Sequence, residues 1–161
     1  MLLDRSIRFD EGLAFGEDLL WTWQVSHSSD DFLCVSTIYG YRNAAGSLMK
    51  VDSQEKLVLG ARSMVLLAQR YMEQGDTEEL RRRVRLCAQQ CLIWCTSIDD
   101  RHLVTGLISR MKAVGVYPYS IMWFNLVPHT GFRQMIDEWI SLLFPFEPYF
   151  WLVYNMRRRR R

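Results

Sequence analysis

Apolar and polar residues recur with a helical period along much of the chain. Residues 17–28, EDLLWTWQVSHS, carry apolar side chains on one side of a helix. These side chains are Leu19, Leu20 and Trp23, with His27 as a further candidate for the same side. The acidic residues Glu17 and Asp18 fall in the first turn, where negative charge opposes the positive end of the helix dipole. The pattern predicts a helix that begins at this acidic pair.

Residues 51–113 predict three further helices joined by short links. The first, DSQEKLVLGARSMVLLAQRYMEQ, begins with residue types that cap helices. The second, GDTEELRRRVRLCAQQCLIWCTSI, is expected to begin at Asp76 or Thr77, with Glu79 in range for a capping box. The third, DDRHLVTGLISRMKAVGV, is expected to end near Gly115. Short links between helices indicate a helical hairpin or small bundle.

The remaining segments differ in pattern from these helices. Residues 30–42, DDFLCVSTIYGYR, are rich in β-branched and aromatic side chains and predict a short strand broken near Gly40. The expected fold is mostly α with a small β part, and its helical hairpin or bundle is followed by an aromatic, basic C-terminal helix. The expected organisation is a mixed segment over residues 1–50, a helical extension over residues 51–127, and an aromatic, arginine-rich tail over residues 128–161.

The charge of the chain is concentrated at its end. The 161 residues carry 20 basic and 18 acidic side chains, and five of the basic ones are residues 157–161. The body is therefore mildly acidic, which argues against a nucleic-acid-binding face. The second basic run, RRRVR at residues 81–85, follows DTEEL and predicts a solvated helix face with pairs inside the helix.

The cysteine spacing predicts helix packing. Cys87, Cys91 and Cys95 recur every four residues and would share one helix face, whereas Cys34 stands alone. No second cluster completes a metal-binding pattern, and the three histidines share no ligand spacing, so no metal site is predicted. Charges at the start of MLLDRSIRFDEG do not fit a signal peptide, and we expect a cytosolic location with reduced thiols.

The tail is aromatic and then basic. Residues 138–161, EWISLLFPFEPYFWLVYNMRRRRR, are interrupted by Pro145, Glu147 and Pro148, so they do not predict a plain transmembrane helix. Aromatic residues followed by arginines are typical of a membrane–water interface, and we expect peripheral membrane contact here. The alternative is a helix that packs on the core and ends in basic residues.

The acidic pair has two interpretations. Glu17 and Asp18 could serve only the helix dipole, a contribution of about 0.3–1 kcal/mol. They could instead belong to an active site, because Gly16 directly before them permits close backbone approach to a ligand. The strand that follows ends in IYGYRNAAGS and would bring Tyr41 and Arg42 to the same edge.

These residues carry a family resemblance. IRFDEGLAFGEDLLWTWQ followed by IYGYRNAAGSLMK resembles the C-terminal part of the catalytic domain of family-two glycosyltransferases, which have the GT-A fold. The shared pattern is Gly-Glu-Asp, an apolar helix, a short strand, then Tyr-x-Tyr-Arg and a Ser. It spans roughly residues 7–50. The resemblance implies a remnant of an α/β domain and an inverting transferase of bacterial cell-surface polysaccharide synthesis.

The resemblance also implies roles for the matching residues. Asp18 would be the catalytic base that accepts the proton of the acceptor hydroxyl, and Glu17 would orient the acceptor or Asp18. Arg42 would bind the donor diphosphate, unless it forms a salt bridge with the acidic pair. Further substrate contacts would come from other matching positions. These positions are Gly16, Tyr41 and Ser47.

Two departures from the family pattern affect the expected activity. The nucleotide-binding half, with the Asp-x-Asp that binds Mn²⁺ or Mg²⁺, does not match any part of this chain, so we expect this fragment alone to be inactive. Gln24 is not followed by the Arg-Trp of processive synthases, which favours addition of one sugar at a time. Expected partners are a sugar nucleotide and a saccharide or lipid-linked acceptor at the inner face of the cell membrane. The competing hypothesis is a small helical interaction or membrane-adaptor protein.

Overall fold

The residues that the structure describes form five helices. The computed structural model describes residues 7–28, 54–118 and 143–159. The helices are α1 Glu17–Ser28, α2 Gln54–Glu73, α3 Glu78–Cys95, α4 Arg101–Ala113 and α5 Glu147–Arg159. These described residues contain no strand, and the prediction of a mostly helical chain is confirmed for them. The strand predicted over residues 30–42 lies outside them, so the α/β remnant stays a prediction.

Helices α2 and α3 form the predicted hairpin, which is the principal packing unit of the described residues. Gly75 in the link has φ 134°, a conformation that favours glycine. Thr77 caps α3, because its Oγ1 accepts a hydrogen bond from Leu80 N at 3.2 Å. With the cap at Thr77, Glu79 does not serve as the predicted capping-box partner and binds Arg83 instead.

Helix α4 begins and ends at local signals. Asp100 Oδ1 accepts hydrogen bonds from His102 N at 2.7 Å and Leu103 N at 3.3 Å, which satisfies two otherwise unpaired donors. At the other end, Gly115 has φ 76°, and Val116 N donates to Met111 O at 3.0 Å. The end predicted near Gly115 is confirmed.

Helix α5 packs on the start of α4 and the end of α3. Tyr154 is fully buried, and its hydroxyl donates to Asp99 O at 3.3 Å. Arg157 donates to Thr96 Oγ1 at 2.8 Å. The guanidinium of Arg101 lies over the ring of Trp151, with 5.1 Å to the ring centroid. These contacts connect the C-terminal helix to the α3–α4 link.

The basic run of α3 is paired with acidic side chains, as the sequence predicts. Arg81 Nε donates to Asp76 Oδ1 at 2.7 Å, and Arg83 donates to Glu79 Oε1 at 2.8 Å. These are exposed pairs, each contributing little to stability. Among the helices of the described ranges, none combines the length and hydropathy required to cross a bilayer.

Candidate functional site

The loop before α1 is fixed on α2 by contacts distant in sequence. Arg70 Nε donates to Asp10 Oδ2 at 2.7 Å, and Ala14 N donates to the buried Ser63 Oγ at 3.2 Å. The side chain of Leu13 is buried in the core beside this loop. The point at which α1 begins is therefore set by α2 and not only by local sequence.

Gly16 stands at the turn into α1 and is required there for two reasons. Its φ is 81°, a left-handed conformation that L side chains rarely adopt. A Cβ at this position would also lie 2.9 Å from Leu67 Cδ2 and 3.3 Å from Met64 Cε. In the structure, the backbone of Gly16 lies close to side chains of α2. A close approach of this backbone to a ligand stays a prediction.

Glu17 and Asp18 are the first two residues of α1, as predicted. Asp18 is exposed, and its Oδ1 accepts a hydrogen bond from Leu19 N at 2.9 Å. By helical spacing it lies on the face opposite the buried side chains of Leu20 and Trp23. The carboxylate of Asp18 is thus accessible to a ligand, and it is also placed to stabilise the helix dipole.

A polar cluster connects the end of α1 to the start of α3. His27 Nε2 lies 3.2 Å from Glu79 Oε2, and His27 Nδ1 lies 3.0 Å from Trp23 O. Glu79 also accepts from Arg83, and this hydrogen bond is the main cause of the lowered pKa of Glu79; burial opposes it, and His27 makes a smaller lowering contribution. The ring of His27 stacks on that of Trp23, with 4.5 Å between the centroids. Both ends of α1 are therefore held, one by α2 and one by α3.

Two buried aromatic residues lie beneath this cluster. The pKa of Tyr71 is raised mainly by burial, with smaller contributions from Cys87 and from the negative charge of Asp18. The guanidinium of Arg83 lies 5.7 Å from the centroid of the Tyr71 ring. The indole Nε1 of Trp23 is buried and finds no hydrogen-bond partner among the described residues. This donor is an unusual feature, because buried polar atoms are nearly always paired.

The structure tests the proximity of only part of the predicted site. Gly16, Glu17 and Asp18 lie together at the start of α1, whereas Tyr41, Arg42 and Ser47 lie outside the described residues. Within those residues, no group of three or more His, Cys, Asp or Glu side chains is placed to hold a metal ion.

The cysteine face of α3 is buried, as the sequence predicts. Cys87, Cys91 and Cys95 are free thiols in the core. Burial and, to a smaller extent, the neighbouring Cys91 raise the pKa of Cys87 from 9.0 to about 12. The pKa of Cys91 is also raised, by its hydrogen bond with Cys95 and by burial. The thiols of Cys87 and Cys91 therefore stay protonated at neutral pH, and all three cysteines serve as packing residues.

We expect stability to fall as the pH rises above 9. The folded protein keeps the Cys87 proton to about pH 12, whereas the unfolded chain loses it near 9.0. Ionisation therefore favours the unfolded state, by roughly 1 kcal/mol per pH unit in this interval. Urea unfolding at pH 8, 9 and 10 in a reducing buffer measures this slope, and Cys87→Ala is expected to reduce it. An equal slope in the two proteins would contradict the assignment to Cys87.

Most of the aromatic side chains in the described part of the tail pack on the core. Phe144, Phe150 and Tyr154 are fully buried, and Tyr117 donates to Phe144 O at 2.9 Å. These three rings therefore pack as expected from the alternative in which the tail helix packs on the core. Other apolar side chains of the tail are exposed. They are Leu143, Phe146, Leu152 and Met156. Membrane contact of the tail stays a prediction that depends on these side chains and the arginines.

Sequence reasoning did not identify the partner of His27. His27 and Glu79 are separated by 52 positions, and no local pattern connects them. The only sequence signal was that His27 lies on the same side of α1 as Trp23. A contact between helices becomes visible only when the helices are packed.

Over the described residues, fold and site define a helical protein with an acidic pair at a helix start, of which Asp18 is exposed and Glu17 is half-buried. Comparison with known proteins gives no matching family model, no matching characterised protein and no matching solved structure. The function is therefore inferred from the residues themselves.

Proposed function

We propose that the chain is the C-terminal portion of a sugar-nucleotide-dependent, inverting and non-processive glycosyltransferase of cell-surface polysaccharide synthesis. Residues 1–50 would belong to its α/β catalytic domain of the GT-A type. The observation that carries the proposal is the position of Asp18. Its exposed carboxylate stands directly after a glycine of positive φ, on a helix start that α2 holds in place.

In this proposal Asp18 removes the proton from the acceptor hydroxyl as that oxygen attacks the anomeric carbon. A carboxylate is ionised at neutral pH and suits this step when it lies about 3 Å from the hydroxyl. Glu17, half-buried beside it, would orient Asp18 or the acceptor. Arg42 would bind the diphosphate leaving group through paired hydrogen bonds. Gly16, Tyr41 and Ser47 complete the proposed substrate contacts.

The proposed partners are a sugar-nucleotide donor and a saccharide or lipid-linked acceptor at the cytoplasmic face of the membrane. The exposed side chains of Phe146, Leu152 and Met156, together with the terminal arginines, would provide peripheral contact. Each arginine near an anionic leaflet contributes about 1 kcal/mol of attraction. Mn²⁺ or Mg²⁺ would be supplied at the nucleotide-binding half, and its ligands are not assigned to this chain.

One observation favours a second candidate, a helical interaction or membrane-adaptor protein without catalysis. Asp18 lies on the face of α1 away from Leu20 and Trp23, where it can act on the helix dipole alone. The two candidates differ in one property. Only the transferase requires the carboxylate of Asp18 for a chemical step.

The deciding experiment joins the chain to its upstream nucleotide-binding half and measures transfer from a panel of sugar nucleotides. We expect Asp18→Asn to lower kcat by at least about a hundredfold, because the amide cannot accept the proton. The matched control is Asp100→Asn, an acid-to-amide change at another helix start. Asn caps as well as Asp, so this variant is expected to retain full activity and stability.

Thermal unfolding of both variants separates chemistry from folding. Equal melting temperatures with activity lost only in Asp18→Asn support the transferase. Undiminished transfer by Asp18→Asn would remove this residue from the mechanism. Absence of transfer from every donor by the joined protein would favour the non-catalytic candidate.

A further inference from the structure

A groove lies between α2 and α4, on a surface separate from the acidic pair. Its volume is about 340 Å³, within the range of sites that bind small organic ligands. The floor is apolar and is formed by Val58 of α2 and by Leu103 and Leu107 of α4. Among the residues that the structure describes, no acidic residue lines the groove.

Three basic side chains surround this floor. Arg62 projects from α2, and His102 and Arg110 project from α4. All three are exposed, and the structure records no ion pair for them within the described residues. Other arginines on the surface of the described residues do form ion pairs. Arg70 and Arg81, for example, bind carboxylates at 2.7 Å.

The direction of the helices brings the two arginines to one end of the groove. Gln54, at the start of α2, donates to Ser97 O and accepts from Asp99 N, directly before α4 begins. Both helices therefore run away from a common end. Arg62, two turns along α2, lies towards the Arg110 end of the groove. The positive charge is concentrated at that end.

Gly106 leaves the space between the basic side chains open. It lies one turn before Arg110 and one turn after His102, on the same face of α4. A Cβ at this position would meet no atom within 4 Å. The groove is thus open along this face and can admit a ligand without displacement of the backbone.

We propose that this groove binds the phosphate headgroup of an anionic membrane lipid. Arg62 and Arg110 donate hydrogen bonds to the phosphate oxygens, since guanidinium groups bind phosphate in a forked geometry. The apolar floor contacts the glycerol and the first acyl carbons, where burial of apolar surface stabilises binding. A free phosphate ion gains nothing from this floor. The site is independent of the proposed sugar transfer, and either can fail without the other.

The test uses short-chain lipids as single molecules, because whole vesicles would also attract the arginines of the tail. The full chain is titrated with dihexanoyl phosphatidic acid below its micelle concentration, by calorimetry and by NMR chemical-shift mapping. We expect binding with shifts at the groove. Dihexanoyl phosphatidylcholine and inorganic phosphate are each expected to bind at least about tenfold more weakly. In phosphatidylcholine the choline cation offsets the negative charge of the phosphate, and inorganic phosphate has no acyl chains to contact the apolar floor.

Variants of the groove provide the second part of the test. Arg62→Gln with Arg110→Gln is expected to weaken binding of the anionic lipid at least tenfold, whereas Arg82→Gln on the exposed face of α3 leaves it unchanged. Gly106→Leu fills the open groove, so it is expected to abolish binding without lowering the melting temperature. Because Gly106→Leu keeps both arginines, its loss of binding cannot come from lost charge.

Three results would overturn the proposal. The first is a set of NMR chemical-shift changes that is confined to the tail or to other surfaces outside the groove. Another is inorganic phosphate bound as tightly as the lipid. The third is unchanged lipid affinity in the double variant or in Gly106→Leu. The mapping on the unaltered chain decides the question even if a variant fails to fold.

Discussion

We expect Phe150→Ala to lower the free energy of unfolding by about 3–5 kcal/mol, the range for truncation of a buried aromatic side chain. Phe150 of α5 is fully buried. Its ring meets that of Phe144 edge to face, with 5.4 Å between centroids, and also contacts Trp151 and Tyr154. Truncation would leave a cavity among rings that cannot all move to fill it.

Urea unfolding followed by tryptophan fluorescence measures this effect. The matched control is Leu152→Ala on the same helix, where the side chain is 56% exposed. The control is expected to change stability by no more than about 0.5 kcal/mol. Equal effects of the two changes would contradict the packing of α5 on the core. The comparison also separates the buried aromatic face of the tail from the face that is free to meet a membrane.

Gly60→Ala is expected to lower the free energy of unfolding by about 3 kcal/mol, the upper part of the usual range for overpacked cores. A Cβ on Gly60 of α2 would lie 1.6 Å from Cζ3 of Trp94 on α3, a distance that no non-bonded atoms can share. The indole also packs edge to face on the ring of Phe15, with 5.6 Å between the ring centroids, which limits its freedom to move. Either the ring or the whole hairpin has to move.

The control for this change is the other helical glycine of the described residues, Gly106. Alanine is the better helix former by about 1 kcal/mol, so Gly106→Ala, in open space, is expected to raise stability by about 0.5–1 kcal/mol. Glycine to alanine is thus expected to lower stability at position 60 and to raise it at position 106. Similar changes in melting temperature for both variants would show that Gly60 is not in close contact with Trp94.

Much of the helical framework could be predicted because its signals are local. The acidic first turn of α1, the Thr77 cap of α3 and the glycine that ends α4 each act within a few residues. The four-residue spacing of Cys87, Cys91 and Cys95 predicts a shared face from helix geometry alone. These predictions did not require knowledge of the neighbouring helices.

The candidate sites were predictable only in part. The motif that contains Gly16, Glu17 and Asp18 is continuous in sequence and could be recognised there, and its function stays a proposal. The α2–α4 groove was missed. One signal was present, since His102, Gly106 and Arg110 recur every four residues on α4, but nothing in the sequence places Arg62 beside them. Contacts between helices depend on packing and not on local pattern.

By itself, the sequence determined the helices, their ends, the buried cysteine face and the ion pairs of α3. Each follows from interactions over one or two helical turns. Only the tertiary structure decided that Phe150 and Tyr154 of the tail pack on the core and that Gly60 leaves room for the ring of Trp94. It also placed Arg62 and Arg110, two arginines without an ion pair among the described residues, on one groove. The physical reason is that an amphipathic pattern specifies which face a helix buries. It does not specify the side chains from distant segments that bury that face, because those contacts form only when the whole chain packs.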